Sequence, residues 1–179
     1  MFLIETYRST RDAIQFAMAQ ALHEHVEICL PALSQTTYDA LLVPETVLQR
    51  AEDAISLLCE AVLGVSREML AGQHYPEELS SVSLRFLGCD RLSLNTESQL
   101  LLSSLMSADM MCAIAHTAGL LRQGHVPATL RQRQIIKYVV LNLLHAIHSE
   151  LGGESFQNWV HSELGVMVRA AVEAYTKLL

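Results

Sequence analysis

Three residues of the 179-residue chain combine an acid, a thiol and an imidazole at helical spacing: Asp109, Cys112 and His116. Steps of three and four residues put them within about 60° of one another on a helical wheel. Side chains of these types ligate a metal or tune a proton. Met106, Met110 and Met111 stand beside them, with Met69 and Met167 elsewhere in the chain. Flexible thioether side chains adapt to irregular apolar cavities. The candidate ligand site is therefore Asp109, Cys112, His116, Met106 and Met110. A closed zinc site needs further ligands, and His25 and His161 are the only hints of them, so no metal is assigned. The same spacing suits a satisfied Asp109–His116 pair, or a solvent edge, with Cys112 as filler and the methionines as core.

Other histidines are less suggestive. His145 and His148 are three apart, as in a chelating half-site. Their wheel position, opposite the Ile136–Leu151 stripe and beside Lys137 and Tyr138, predicts exposure. His23 and Glu27 form an ordinary surface pair at i, i+4. His25 lies on an apolar stripe, which suits a core or interface histidine or a pH-sensitive contact.

Charge is unevenly spread. Residues 98–149 hold one acid, Asp109, against the bases Arg122, Arg131, Arg133 and Lys137. Those four form a candidate patch for an anion or an acidic partner, or a solvated face.

The elements that must position these residues are helices. In 45–71 the apolar stripe Leu48, Ala51, Ile55, Leu58, Val62, Val65 and Met69 steps by three and four throughout, a heptad pattern. Pro44 suits the first turn and Gly72 the C-terminal stop. A second stripe, Ile136, Val140, Leu143, Ile147 and Leu151, predicts a helix over 128–151, started by Pro127 and ended by Gly152-Gly153. A third, Val160, Leu164, Met167, Ala171, Ala174 and Leu178, predicts a helix over 155–178. So short a connection predicts an antiparallel C-terminal helix pair, packed closely at Ala171 and Ala174. Ser9 and Asp12 resemble a capping box for an N-terminal helix with Ile14, Met18, Ala21, His25 and Cys29 inward, closed by Pro31. Residues 32–43 read as a linker or short helix. Thr96 and Gln99 cap a helix running to Arg122, stopped by Gly124, so apolar around its circumference that a central place is expected. Residues 72–95 read as an irregular connection. The expected architecture is an all-α, single-domain bundle spanning 1–179, with about five long and one or two short helices.

Composition narrows the function classes. The chain is 51% hydrophobic and 17% charged, with a mean hydropathy of +0.27, which excludes a disordered chain. A net charge of −7 points away from nucleic acid. The longest apolar runs fall short of the roughly 18–20 residues of a membrane span. Cys29, Cys59, Cys89 and Cys112 form no CxxC pair, and no secretory signal is visible, so reduced thiols in the cytoplasm are expected. Phosphate-loop, dinucleotide, GxSxG, HExxH and ExxH signatures are missing.

The stretch Ala115-His116-Thr117 … Gly124-His125-Val126-Pro127, followed by two long helices, is similar to the end of bacterial haemoglobins. The similarity covers 116–179 and implies a globin-like topology with His116 as proximal haem ligand. The upstream half departs from that pattern: 81–97 is broken where the family keeps its distal helix, and the phenylalanine packed on haem has no counterpart.

The expected function is non-enzymatic: a regulatory or adaptor protein that binds a protein partner or a small ligand in an apolar cavity. Apolar stripes exceeding what one small bundle must bury suggest self-association. The candidate homodimer interface is Val160, Leu164, Met167, Ala171, Ala174 and Leu178. The alternatives are a haem- or metal-binding sensor built on His116, and a helical enzyme without a recognisable motif.

Overall fold

The computed structural model describes residues 2–25, 27–41, 44–71, 96–120 and 133–178. Helix α1 spans Phe2–Glu24, α2 Gln35–Ala40, α3 Pro44–Ala71, α4 Thr96–Leu105, α5 Ala108–Thr117 and α6 Arg133–Leu151. Helix α7 (Gly153–Trp159) continues through a π turn at Val160–Leu164 into α8 (Gly165–Thr176). The fold is all-α with a C-terminal helix pair, and no strand occurs among the described residues. The expected connection at 72–95, and Arg122, Gly124, Pro127 and Arg131, lie outside the described residues.

Helix α3 begins and ends where its proline and glycine predict. Helix α1 begins earlier than expected, at Phe2, so Ser9 and Asp12 are interior helical positions rather than a capping box. Its buried stripe is Ile14, Met18 and Leu22. It stops at Glu24, which leaves Cys29 on a non-helical segment.

The helix expected over 96–122 is two helices. Ser103 Oγ bonds the Leu100 carbonyl at 3.1 Å, and Ser107 leaves the helical region to accept the Met110 N–H on its side chain. Serines compete for backbone partners in this way and break a helix that apolar periodicity alone would continue. The stop comes at Gly119, at φ 72°. Leu120 N–H bonds the Ala115 carbonyl and Gly119 N–H bonds the His116 carbonyl, the paired bonds of a Schellman motif.

The central helix is α6. Val139 through Leu144 are all buried, as are Ile136, Ala146 and Ile147. Helices α3 and α5 are its main neighbours, and α7 packs on it beyond the Gly152 turn. Helix α8 packs chiefly on α1 and also on α3, so the C-terminal pair does not stay together along its length. One cluster of buried residues draws on α1 and on α3 through α8. Two polar side chains are sealed inside it, Ser104 and Asn142, and among the described residues neither Ser104 Oγ nor either amide atom of Asn142 has a hydrogen-bond partner.

Candidate functional site

The residues expected to form a ligand pocket at α5 face different ways. Met110 and Met111 are buried, Met106 and Cys112 are half-buried, and Asp109 and His116 are exposed. Asp109 pairs with Arg133 in an ion pair whose side chains are 73% and 74% exposed. Such a pair contributes about 0–1 kcal/mol. The Cys112 thiol lies 3.8 Å from the Arg133 carbonyl. Burial pushes its pKa up, with Arg133 opposing and Asp109 adding, so it remains a protonated thiol and a poor nucleophile. No three His, Cys, Asp or Glu side chains among the described residues come together as a metal site. An exposed imidazole at His116 does not fit an enclosed haem, so no chemistry is assigned through that group.

The stripe expected at a dimer interface is spent inside the chain. Val160, Leu164, Met167 and Ala171 are buried, Ala174 is half-buried, and Leu178 is exposed. Helix α1 covers the α8 part of this face and α3 meets the π turn within one subunit, so most of the stripe has its partner inside the chain. Of the basic patch, Arg133 is exposed and engaged with Asp109, and Lys137 is half-buried.

What the structure does bring together is a groove over α6, walled by α2 and α3. One compartment, of about 240 Å³, is lined by Thr36, Thr37, Ala40, Leu41, Arg50, His145, Ala146, Ser149 and Glu150. A second, of about 320 Å³, is lined by Asp53, Ser56, Leu57, Glu60, His145 and His148. His145 is common to both. The exposure expected for His145 and His148 is thus incorrect: both are half-buried, because α3 packs along this side of α6.

Helix α2 is held in place by the end of α6. Ser34 caps it, its Oγ accepting the Thr37 N–H. Glu150 in turn accepts from the Ser34 N–H at 3.2 Å, from Ser34 Oγ at 3.0 Å and from Thr37 Oγ1. Those hydrogen bonds, Thr37 first, hold the Glu150 carboxyl below its usual value. The stabilisation is therefore present above the ordinary glutamate range and is lost as pH falls through the lowered value. The amide protection of 35–41, relative to intrinsic exchange at each pH, should fall in acid before that of the core does. Ser34→Ala should cost about 1 kcal/mol of local stability, read as faster exchange confined to that segment. Equal acceleration in α6 would contradict this.

Within the groove, burial pushes the His145 pKa down, Arg50 adds to that, Asp53 opposes, and His148 adds. The imidazole is accordingly neutral at pH 7. Ser149 Oγ donates to the His145 carbonyl at 2.8 Å and lies 3.3 Å from Nδ1. With its proton committed to the carbonyl, the hydroxyl accepts from Nδ1–H, which leaves Nε2 with the lone pair.

No family model, no curated protein and no solved structure matches the chain. Function must therefore be argued from the chain's own residues.

A second polar cluster is structural in character. Trp159 Nε1–H donates to the Cys29 carbonyl at 2.8 Å, and the Cys29 N–H donates to Glu163 Oε2 at 2.8 Å. These bonds tie residues 27–33 across the π turn. His25 Nε2 lies 3.9 Å from the same carboxylate, beyond hydrogen-bond distance.

Arg50, Asp53 and Glu60 are the groove residues that sequence patterning passes over. They read as the polar face of an amphipathic helix. Their spacing of three and seven puts them on one side of α3, but nothing in the sequence says that α6 flanks that side.

Proposed function

We propose that this chain is a non-catalytic binding protein of regulatory or adaptor type, whose small ligand lodges in the groove between α2, α3 and α6. The observation that carries this reading is the pair of adjoining hollows joined at His145, on a floor made by the most buried helix of the fold. Ligand sites favour concave places where a few polar groups stand on rigid, packed elements. At α5 the described polar side chains do not converge, and the acid is already paired. Neutral His145 has a lone pair but no adjacent nucleophile to activate, because the Ser149 hydroxyl donates to a carbonyl. Binding is therefore a better reading than catalysis.

The test is a two-dimensional NMR titration of the full chain against common metabolites at millimolar concentration. The expected result is at least one compound that shifts Thr36, Ala40, Arg50, Leu57 and His145 together. Ala40→Trp, which fills the first compartment, should abolish the response. Asp109→Asn and His116→Ala should leave it unchanged. Shifts clustered at 109–116, or a response that survives Ala40→Trp, would overturn the proposal.

A further inference from the structure

Among the described residues, the groove carries one cation, Arg50, and three acids, Asp53, Glu60 and Glu150. Arg50 lines the first compartment, while Asp53 and Glu60 line the second. Arg50 makes no ion pair and no hydrogen bond among the described residues, and it does not pair with Asp53 three positions along the same helix. An unpaired guanidinium that is half-buried keeps five N–H donors available in a geometry suited to a carboxylate. Glu150 also borders the Arg50 compartment, but its oxygens are committed to Ser34 and Thr37. The acids of the second compartment, Asp53 and Glu60, are both exposed and likewise have no ion pair. Between the two ends stands His145, neutral for the reasons given above, so it neither repels an ammonium nor neutralises a carboxylate.

On the reading that this groove is the binding site, we propose that its ligand is an amino-carboxylate zwitterion. The carboxylate meets Arg50 in the α2-side compartment, and the ammonium meets Asp53 and Glu60 beyond His145. A simple anion meets Arg50 but is repelled by Asp53, and a simple amine has the converse problem. A molecule carrying both charges satisfies both ends without leaving an unpaired charge in the groove. Along α3 the rise from Arg50 to Asp53 is about 4.5 Å and from Arg50 to Glu60 about 15 Å. Both figures exceed the charge separation of an α-amino acid, so a longer ω-amino acid is the better match.

The experiment titrates the full chain with acetate, ethylamine, glycine, 4-aminobutyrate and 6-aminohexanoate at low salt and pH 7, followed by NMR shifts of the groove residues. At least one of the three zwitterions is expected to bind ten times or more tightly than acetate and ethylamine. Arg50→Gln should bring that zwitterion down to the level of ethylamine. The double variant Asp53→Asn with Glu60→Gln should bring it down to the level of acetate. Both variants change exposed or half-exposed polar positions, so the fold should persist, which unchanged core resonances will show. Acetate binding as tightly as the best zwitterion would overturn the proposal while leaving the groove as the site. So would a zwitterion affinity that changes less than twofold in Arg50→Gln. Zwitterion binding that leaves the groove resonances unmoved, or that survives Ala40→Trp, would overturn the choice of site itself.

Discussion

Phe156→Ala is expected to destabilise the protein by about 3–5 kcal/mol, the range for truncating a fully buried phenylalanine. The side chain is 1% exposed, and it is the largest of the fully buried residues. It sits in α7, four residues beyond the Gly152 turn, and its own N–H bonds the Gly152 carbonyl at 3.0 Å. The ring also meets His148 edge-on, with centroids 5.5 Å apart and planes at 83°, a favourable aromatic arrangement. Removing it leaves a cavity where α6 and α7 meet, and of the α7 side chains it is the one fully buried, Trp159 being only partly so. For a chain of this size the loss corresponds to roughly 6–20 °C in Tm. Denaturant melts should show a lower midpoint at unchanged slope. A loss below about 1 kcal/mol would show that α7 is not anchored through this ring. His148 should also move its NMR resonances, since it loses the ring beside it.

Asn142→Leu is expected to act in the opposite direction, raising stability by about 1–3 kcal/mol. Asn142 is 1% exposed, and neither its amide nitrogen nor its oxygen has a partner. A buried polar group in that condition carries its full desolvation cost. Leucine removes the cost and adds apolar burial on a helix surrounded by apolar neighbours. Overpacking from its bulkier branch is a competing cost of similar size, so Asn142→Ala serves as the companion variant. Alanine there should lie close to the parent, unlike the large loss of an ordinary core truncation. If both variants lose more than about 2 kcal/mol, the amide has a buried partner, such as an ordered water, and the prediction fails.

The helices were legible in the sequence because each carries its own periodic stripe and its own stop signal. Pro44 and Gly72 bracket α3, and Gly152 turns the chain into α7. Legibility failed where two local preferences competed. Apolar spacing runs on from Leu105 to Met110, yet Ser107 takes up the Met110 N–H and breaks the helix. Gly119 stops α5, although Gly124 also stood within reach as a stop. The candidate site was less legible still. Of Asp109, Cys112 and His116, which their spacing places on one helix face, the first and last are exposed and Cys112 is half-buried, so they line no pocket. Conversely, Arg50 and Asp53 on α3, and His145 and Glu150 on α6, read as surface residues of two separate helices. Their meeting depends on α3 lying along α6 and on α2 being held by Glu150, and no periodicity within a segment encodes either pairing. The same holds for the C-terminal stripe. Its heptad spacing shows that a partner exists, but not that the partner is α1 of the same chain.

That partnership has a consequence for how the protein is made. Helix α1 leaves the ribosome well over a hundred residues before α8, its main partner, so Ile14, Met18 and Leu22 lack most of their cover until then. At roughly 5–20 residues per second the wait is on the order of ten seconds, far longer than a helix needs to form. During that interval the nascent chain displays an apolar helix face of the kind that chaperones hold. Completion of the native core therefore waits for α8 to emerge, and loss of α8 should affect the yield of soluble protein more than the same change in stability made elsewhere.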